Sequence, residues 1–432
     1  MSRSDSAPAS QRTAPTAPLR RLAAGTAAAA LLATGASPAS AAPAETGPRT
    51  WVAGWAASPQ PPSTGFTPNW SQEGFSRQTL RQVVHVTATG DRARIRLSNV
   101  YGLSALHLTG ATLALSAGGA AVVPGTVRHL TFHGAAGTVL PAGRTAASDP
   151  APLDLTAPRS VTVTLYLAGT TGPATFHAQA LADTYRAEGD HRGDMRGEAF
   201  GQTTQSWYYL SGVDVTGGST DRRGVAVFGD SITDGFASTP NTDHRYSDRL
   251  AARTHRPVVN AGIGGNLLLN DSAWYGPRGT GRFARDVLQQ PGTGTAVVLE
   301  GVNDIGFSET ADQPTYKPDT PVSAASLEAG YRHLIERAHA AGVKVVGATL
   351  LPFGTSDHWG PHARRVSAEV NHWIRTSGAF DAVVDLHHTF ADPSDPDRLA
   401  PRYDSGDGLH PNDEGYDVLA REVAAVLDRE GL

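Results

Sequence analysis

Residues 223–236 read Arg-Gly-Val-Ala-Val-Phe-Gly-Asp-Ser-Ile-Thr-Asp-Gly-Phe, and they decide the fold of the second half of the chain. Val225–Phe228 is a short apolar run, which is typical of a buried parallel strand. Ser231 follows at the carboxyl end of this predicted strand, where open α/β sheets bind their ligands. The simplest interpretation of Asp230 and Ser231 is that they only cap the next turn, because Asp and Ser are common there.

Three later segments place polar residues at equivalent positions. Because the carboxyl ends of parallel strands meet at one edge of a sheet, we expect these segments to lie near Ser231. They are Asn260-Ala-Gly-Ile-Gly-Gly265-Asn after Val258-Val259, Gly301-Val-Asn303-Asp304 after Ala296–Glu300, and Asp407-Gly-Leu-His410-Pro before the last predicted helix.

These four segments, in this order, resemble the SGNH family of serine hydrolases, also called GDSL, over roughly residues 224–432. The resemblance implies a carboxylic ester hydrolase that works through an acyl-enzyme, without a cofactor. Ile232 stands where the family name has Leu, which is a similar apolar residue. The family's functional positions fall on Ser231 as nucleophile, His410 as base, Asp407 as its orienting acid, and Ser231, Gly265 and Asn303 as oxyanion-hole donors.

The chemistry of the predicted site explains why these residue types are needed. A serine hydroxyl needs a base within hydrogen-bonding distance, and the base needs a third group that holds its tautomer. His410 and Asp407 can supply both, although Asp385 and His388 repeat the same Asp-x-x-His spacing. We prefer the first pair because it lies just before the terminal helix, as the family requires. Three further carboxylates are assigned to loop hydrogen bonding: Asp230, Asp234 and Asp304.

Composition excludes several other classes of function. The chain has 432 residues, of which 40% are hydrophobic and 18% charged, so it can bury a large core. Without Cys it has no disulfide, no thiolate zinc site and no cysteine nucleophile. A net charge of -5 and no long basic run argue against nucleic acid. His177, Asp190 and His191 match no metal-ligand spacing, so we expect no metal. We expect a monomer whose partner is an ester substrate.

The first 41 residues are predicted to be a secretory signal peptide. Arg20 and Arg21 precede the apolar run Leu22–Ala36, and Ala39-Ser40-Ala41 is a small-residue cleavage site. The pair of arginines leaves twin-arginine export open beside the ordinary secretory route. No later segment is long and apolar enough to anchor the protein, so we expect it to be secreted and extracellular, with no membrane span.

Residues 42–220 are predicted to form an antiparallel β-sandwich domain, jelly-roll-like, because short alternating runs are separated by Gly, Pro and Asp. Val84–Ala88 and Ile95–Leu97 are predicted to pair as a hairpin across Thr89-Gly90-Asp91. Further strands are predicted at Leu106–Leu108, Thr112–Leu115, Val127–Phe132 and Ser160–Leu167. Core packing is expected for the tryptophans of this region, with sugar stacking as the alternative: Trp51, Trp55, Trp70 and Trp207.

Residues 221–432 are predicted to form a three-layer α/β domain, which the resemblance identifies as an SGNH hydrolase domain, after a polar linker at 215–223. Five apolar runs alternate with helical stretches, which predicts a parallel sheet, and the resemblance implies a flavodoxin-like strand order. The predicted strands are Val225–Phe228, Val258–Asn260, Ala296–Glu300, Val343–Ala348 and Ala382–Asp385. The predicted helices are Arg245–Thr254, Ala324–Ala341, His362–Ser377 and Asp413–Arg429.

The substrate is the least determined part of the prediction. The loops after Ser231, Gly265 and Asn303 are rich in polar residues, which favours an open, shallow site for short acyl groups, with acetylated carbohydrate as the leading candidate. Leu267–Leu269 is the one apolar cluster nearby, and core packing is its expected role. Lipase or lysophospholipase activity on longer chains and O-acyl transfer remain as enzymatic alternatives, and a non-catalytic binding protein is the alternative outside the enzymes.

Overall fold

The computed structural model describes residues 50–218, 223–310 and 313–432. The predicted signal peptide 1–41, the first residues of the predicted β domain and part of the predicted linker lie outside the described residues. Arg49–Leu432 forms one compact unit, so the predicted domain boundary at 220/221 stays a prediction. Within the described ranges, none of the helices combines the length and apolar character needed to cross a bilayer.

Residues 50–218 contain sixteen strands, and every pairing between them is antiparallel. In chain order they are β1 Val52–Ala56, β2 Gln78–Val86, β3 Gly90–Ser98, β4 Leu106–Leu108, β5 Gly110–Gly118, β6 Ala121–Val122, β7 Arg128–Leu130, β8 Thr138–Leu140, β9 Thr145–Ala147, β10 Ala151–Leu155, β11 Arg159–Leu167, β12 Phe176–His177, β13 Thr184–Glu188, β14 Gln202–Thr204, β15 Trp207–Tyr208 and β16 Leu210–Thr216.

These strands form two larger sheets and two small ones. The five-stranded sheet has the order β1-β16-β3-β10, with β9 on β3, and the seven-stranded sheet has the order β14-β13-β2-β11-β5-β6, with β7 on β5. Alternating residues of both sheets point into one shared apolar core, for example Val84 and Val163 from one and Ile95 and Val213 from the other. The antiparallel character is confirmed, whereas the jelly-roll-like sandwich stays a prediction.

The predicted hairpin between β2 and β3 is wrong. β2 pairs with β11 and β13, and β3 pairs with β16, β10 and β9, so the turn carries the chain from one sheet to the other. Thr87 fixes this crossing, because its N–H donates to the carbonyl of Gly54 at 2.8 Å and its hydroxyl bonds to Val258 at 3.0 Å. Alternation marks a buried face correctly, but it does not identify the neighbouring strand.

The C-terminal half is built on a parallel sheet of five strands, β17 Gly224–Gly229, β18 Val258–Gly262, β19 Thr293–Leu299, β20 Lys344–Ala348 and β21 Ala382–Val384. Their spatial order is β18-β17-β19-β20-β21, or 2-1-3-4-5 in order along the chain. This is the flavodoxin-like order, so the predicted parallel sheet is confirmed. Two short strands, β22 Ala391–Asp392 and β23 Asp395–Leu399, pair beside it.

Within residues 223–310 and 313–432, eight α-helices accompany the sheet, and they pack in two groups, as a three-layer arrangement requires. One group contains α2 on α8, and the other contains α3, α5 and α6. The four long helices begin and end within one residue of the predicted bounds. The helices are α1 Ser231–Asp234, α2 Tyr246–Thr254, α3 Gly279–Phe283, α4 Val302–Gly306, α5 Ala324–Ala340, α6 Pro361–Thr376, α7 Leu386–Phe390 and α8 Asp413–Glu430, with a π-helix at Ala284–Leu288 and a 3-10 turn at Phe307–Glu309.

Candidate active site

Ser231 lies where strand β17 turns into the single-turn helix α1. Asp230 caps this turn, since its carboxylate accepts a hydrogen bond from the N–H of Ile232 at 3.0 Å, and Gly235 ends it in the left-handed conformation. The capping interpretation therefore holds for Asp230, whereas the Ser231 hydroxyl faces elsewhere. A Cβ at Gly229 would lie 1.9 Å from the Leu299 carbonyl, so only glycine allows the serine turn to lie this close to β19.

The structure joins Ser231, His410 and Asp407 in one chain of hydrogen bonds. Ser231 Oγ is 2.8 Å from His410 Nε2, and His410 Nδ1 is 2.6 Å from Asp407 Oδ2. Asn412 accepts a hydrogen bond from the Gly415 N–H and so starts α8, which fixes the loop that carries His410. The ring of Phe236 packs on the imidazole, with 4.5 Å between ring centroids.

Asp407 is held as a carboxylate. Its partial burial acts to raise the pKa of the carboxyl, but the hydrogen bond and charge of His410 outweigh this and lower the pKa well below its usual range. The backbone N–H groups of Leu409 and His410, each 2.9 Å from Asp407 Oδ1, act in the same direction. An ionised Asp407 can accept only, so the proton of the imidazole lies on Nδ1 and Nε2 is left to face Ser231.

Gly265 and Asn303 lie at the same edge of the sheet. Gly265 has φ +71°, and a Cβ there would lie 2.4 Å from the ring of Tyr275, so both conformation and space require glycine. The buried amide of Asn303 donates through Nδ2 to the carbonyl of Asn266 at 2.9 Å. One N–H of this amide is thereby used, and the second is available to a ligand in the pocket that both residues line.

Arg282 fixes the strand ends that carry these groups, although sequence reasoning did not single it out. Its fully buried guanidinium donates to the Gly229 carbonyl at 2.8 Å, to the Ala261 carbonyl at 2.6 Å and to Asn266 Oδ1 at 2.7 Å. Asp286 lies 3.3 Å away and balances the charge. Three segments of the site are therefore tied to one side chain, which requires the five donors that only arginine has.

Asp230 and Asp304 are buried carboxyls that face the protein interior. Burial raises the pKa of each to about 7. Asp304 accepts from the N–H groups of Leu268 and Leu269 at 2.7 and 3.0 Å, so it holds the loop that follows Gly265. Neither carboxyl lines the pocket, and both serve the loops by hydrogen bonding.

Two histidines that the sequence analysis did not assign to the active site are coupled to the oxyanion segments. His358 Nε2 is 3.1 Å from Asn303 Oδ1, and its Nδ1 is 2.7 Å from Asp357. In the N-terminal half, His177 Nε2 is 3.0 Å from Asp234, whose other carboxylate oxygen accepts from the Gly264 N–H at 3.0 Å. The neighbouring pair Asp357-His358 was visible in the sequence, but nothing in its spacing related it to a strand end.

A cavity of about 360 Å³ opens over Ser231. The prediction of open, polar loops is wrong here, because aromatic rings form much of its wall. Leu267 lies behind that wall, packed with Tyr275 and Phe307, so the predicted core role of this leucine is confirmed. The residues that line the cavity are Phe66, Gln179, Ser231, Phe236, Gly265, Tyr275, Asn303, Phe307, Tyr316, Asp357, His358, Asp407, Leu409 and His410.

The N-terminal half forms part of this wall. Phe66 stacks on Tyr275 with 5.4 Å between ring centroids, and Gln179 approaches Gly264 so closely that a Cβ there would lie 2.1 Å from its Oε1. The tryptophans lie apart from it. Trp55, Trp70 and Trp207 are buried in the core as predicted, and Trp51 lies half-buried beneath the Arg94 guanidinium.

The structure does not bring the alternative residues to the site. Asp385 caps α7 through the His388 N–H and forms an ion pair with Arg375 at 2.8 Å. His191 pairs with Asp194 at 2.7 Å, away from the contacts of His177. In the part of the chain that the structure describes, no group of three or more His, Cys, Asp or Glu side chains is arranged to hold a metal ion.

Residues 227–418 match the model of the GDSL-like lipase/acylhydrolase family. The match begins within β17 and ends within α8, so it spans the sheet and all five of the site residues described above. The fold and this match define the class of the protein as an ester hydrolase. Over residues 227–418 the chain is similar to the GDSL-like lipase/acylhydrolase family.

Individual relatives cover the same half of the chain. A GDSL lipase of Mycobacterium tuberculosis is 28% identical over 213 residues, which are 48% of this chain and 82% of that protein. Among solved structures, a GDSL-like lipase from Bacteroides thetaiotaomicron is 20% identical with a TM-score of 0.36, covering 48% of this chain and 88% of its own. A catalytic mutant of an acetylxylan esterase from Geobacillus stearothermophilus is 21% identical with a TM-score of 0.35, covering 49% and 94%.

Proposed function

We propose that this ester hydrolase works through a Ser231-His410-Asp407 triad and an acyl-enzyme. The observation that supports this is the unbroken hydrogen-bond chain from Asp407 to Ser231 Oγ, which ends in a cavity. Ser231 Oγ attacks the ester carbonyl carbon as His410 Nε2 takes its proton. His410 then gives that proton to the departing alcohol oxygen, and the C–O bond breaks. A water molecule repeats the sequence, so that the acid is released and Ser231 is restored.

The negative oxygen of each tetrahedral intermediate would be bound by three donors. These are the backbone N–H groups of Ser231 and Gly265 and the free N–H of the Asn303 amide. A donor of this kind contributes about 2.7–4 kcal/mol to stabilisation of the transition state. The Asn303 amide bonds to the Asn266 carbonyl and to His358, and both of these residues are buried. The amide N–H is therefore already oriented and needs little reorganisation when negative charge develops on the substrate oxygen.

For substrate, we propose esters of short acyl groups. Liquid water occupies about 30 Å³ per molecule, so a cavity of about 360 Å³ has room for roughly twelve non-hydrogen atoms of acyl group and alcohol together. A palmitoyl group alone exceeds that volume. One observation favours the alternative of a longer acyl chain, namely the aromatic wall that Phe66, Tyr275 and Phe307 form, because apolar rings bind methylene groups.

We further propose that the natural ester is an acetylated carbohydrate and that the protein is secreted as a monomer. The sequence pattern of the predicted leader at 1–41 supports export, and a secreted esterase would meet polysaccharide esters outside the cell. An O-acyltransferase would form the same acyl-enzyme as an esterase. The two activities differ only in the second step, in which either a sugar hydroxyl or water attacks the acyl-enzyme.

A series of p-nitrophenyl esters from acetate to palmitate tests the acyl length. We expect kcat/KM to be highest between acetate and butyrate and to fall beyond them. If the aromatic wall binds a long acyl chain, each buried methylene adds about 0.8 kcal/mol and kcat/KM rises steeply with length, which contradicts the short-acyl proposal. Release of acetate from acetylated xylan tests the carbohydrate, and no release, with p-nitrophenyl acetate still hydrolysed, would remove it.

A further inference from the structure

Asn303 lies at the end of a second chain of hydrogen bonds, which runs from Asp357 through His358. Asp357 Oδ1 is 2.7 Å from His358 Nδ1, and His358 Nε2 is 3.1 Å from Asn303 Oδ1. The side chain of His358 is only 3% exposed, whereas that of Asp357 is 48% exposed. This second chain ends at Asn303 and lines the same cavity as the triad, and the proposed acyl-enzyme mechanism gives it no role.

The hydrogen-bond partners of His358 determine which of its ring nitrogens carry hydrogen. The Asn303 amide must direct Nδ2 at the Asn266 carbonyl, 2.9 Å away, because the reverse orientation would bring two oxygens into contact. Its oxygen therefore faces His358 Nε2. On the other side, Asp357 is a carboxylate: the hydrogen bond from His358 is the largest cause of a lowered pKa at this carboxyl. Both ring nitrogens thus face acceptors, and both must carry hydrogen.

The packing around His358 leaves room for one orientation of its ring. The rings of Tyr316 and Phe307 lie at 5.1 and 5.7 Å between centroids. On α4, a Cβ at Gly306 would lie within 2.3–2.4 Å of His358 side-chain atoms, so this helix must have glycine there. The ring therefore cannot rotate away from Asn303 without displacing its neighbours.

Several charged and titratable groups lie on the elements that surround His358. Asp357 lies beside it, and the Tyr316 hydroxyl is 3.3 Å from the second oxygen of Asp357. Asp407, which bonds to His410, is close enough to Asp357 to act on its charge. Two other acids on the packed elements are directed elsewhere: Asp304 of α4 at Leu268 and Leu269, and Glu309 of the 3-10 turn at the Ala363 N–H.

We propose that His358 is a positioning residue for the oxyanion hole, acting as an imidazolium that holds the Asn303 amide through Nε2–H and is itself held by Asp357. This inference rests on the proposed function, because it assigns Asn303 to the oxyanion. The hydrogen bond directs one N–H of Asn303 at Asn266 and leaves the other for the substrate oxygen. The positive charge also withdraws electrons from the amide oxygen, which strengthens the N–H donor.

Two substitutions separate positioning from a packing role. His358→Leu removes the donor, and we expect kcat on p-nitrophenyl acetate to fall about 10- to 100-fold, the loss of one charged hydrogen bond, with KM changed less than threefold. His358→Gln keeps an N–H donor that can face the Asn303 amide oxygen. We expect it to restore kcat to within about threefold of the wild type, with KM unchanged. A folded His358→Gln enzyme whose kcat is about 10-fold or more below the wild type overturns the proposal, even if His358→Leu does not fold.

A double-mutant cycle then tests whether His358 acts through Asn303. Asn303→Ala should lower kcat about 10²- to 10³-fold, and adding His358→Leu in that background should cost less than twofold. If both losses multiply, His358 acts by another route and the positioning proposal is wrong. If Asn303→Ala leaves kcat unchanged, the oxyanion assignment itself fails, which is a distinct outcome. Thermal unfolding of each variant separates these losses from a loss of folded protein.

Discussion

The ion pair between His177 and Asp234 should tie the N-terminal β region to the oxyanion loop. His177 Nδ1 is 3.0 Å from the Ser58 carbonyl and its Nε2 is 3.0 Å from Asp234, whose second oxygen accepts from the Gly264 N–H. Both side chains are less than 5% exposed. The change that tests this connection is His177→Leu, which keeps an apolar side chain in the core and removes both hydrogen bonds.

The expected cost follows from what the substitution leaves behind. Asp234 would remain buried with the Gly264 N–H as its one remaining donor among the described contacts, and removal of one partner from a buried ion pair costs about 3–5 kcal/mol. The free energy of unfolding should fall by that amount. Because the carboxylate then relaxes toward water and draws Gly264 with it, kcat should fall as well, by about 10-fold or more through the neighbouring Gly265 donor.

The pH dependence gives this prediction a sign. Burial acts to lower the pKa of His177, but the charge and hydrogen bond of Asp234 outweigh it, so the folded-state pKa is raised above 6.5. The stabilisation is therefore fully present below the unfolded-state pKa of 6.5 and is lost as pH rises through the folded-state pKa. The difference in unfolding free energy between wild type and His177→Leu should be larger at pH 6 than at pH 9.

Urea unfolding at both pH values measures these differences, and His191→Ala is the matched control. His191 also pairs with an aspartate, Asp194 at 2.7 Å, but the two side chains are 29% and 44% exposed. An exposed pair contributes about 0–1 kcal/mol, so the control should lie close to wild type in stability and in kcat. The reasoning would be refuted if both substitutions lowered the free energy of unfolding equally. It would also be refuted if the difference in that free energy between wild type and His177→Leu grew with pH.

Two further predictions concern the site itself. Gly265→Ala should lower kcat about 10²- to 10³-fold, because a Cβ at φ +71° would lie 2.4 Å from the Tyr275 ring and would displace an oxyanion donor. Steady-state kinetics measures this loss. A folded variant with the wild-type kcat would contradict the role of Gly265 as a donor. Asp407→Asn should lower kcat about 10³-fold or more, since an amide does not fix the His410 tautomer. Asp385→Asn should leave kcat within twofold of the wild type. A larger loss from Asp385→Asn than from Asp407→Asn would mean that Asp385 and His388, rather than Asp407 and His410, form the catalytic pair.

The parallel sheet could be predicted because its signals are local. Each apolar run of three to six residues ends in a polar or glycine-rich turn, and some long helices have a recognisable start, such as Asn412 before α8. The positions of Ser231, Gly265 and Asn303 could be predicted for the same reason, since each lies within a few residues of a strand end, whereas their roles were predicted from the resemblance to the SGNH family. Their meeting then follows from the topology, because parallel strands bring their carboxyl ends to one edge.

The remaining features depend on contacts between distant parts of the chain. β2 and β3 alternate as a hairpin would, yet Thr87 bonds to Gly54 and Val258 and sends them into different sheets. Phe66 and Gln179 reach the pocket from the N-terminal half, and no local pattern distinguishes them from other residues of their loops. A pair such as Asp357-His358 becomes meaningful only after the fold has placed Asn303 beside it.

The most direct test of the central claim is covalent labelling by a fluorophosphonate probe, read by peptide mass spectrometry. The account predicts one labelled residue, Ser231, with labelling abolished in Ser231→Ala and slowed strongly in His410→Ala, because Oγ then lacks its base. His388→Ala serves as the matched control and should label at the wild-type rate. Labelling of another serine, or of a Ser231→Ala protein that still hydrolyses p-nitrophenyl acetate, would contradict the assignment of Ser231 as the nucleophile.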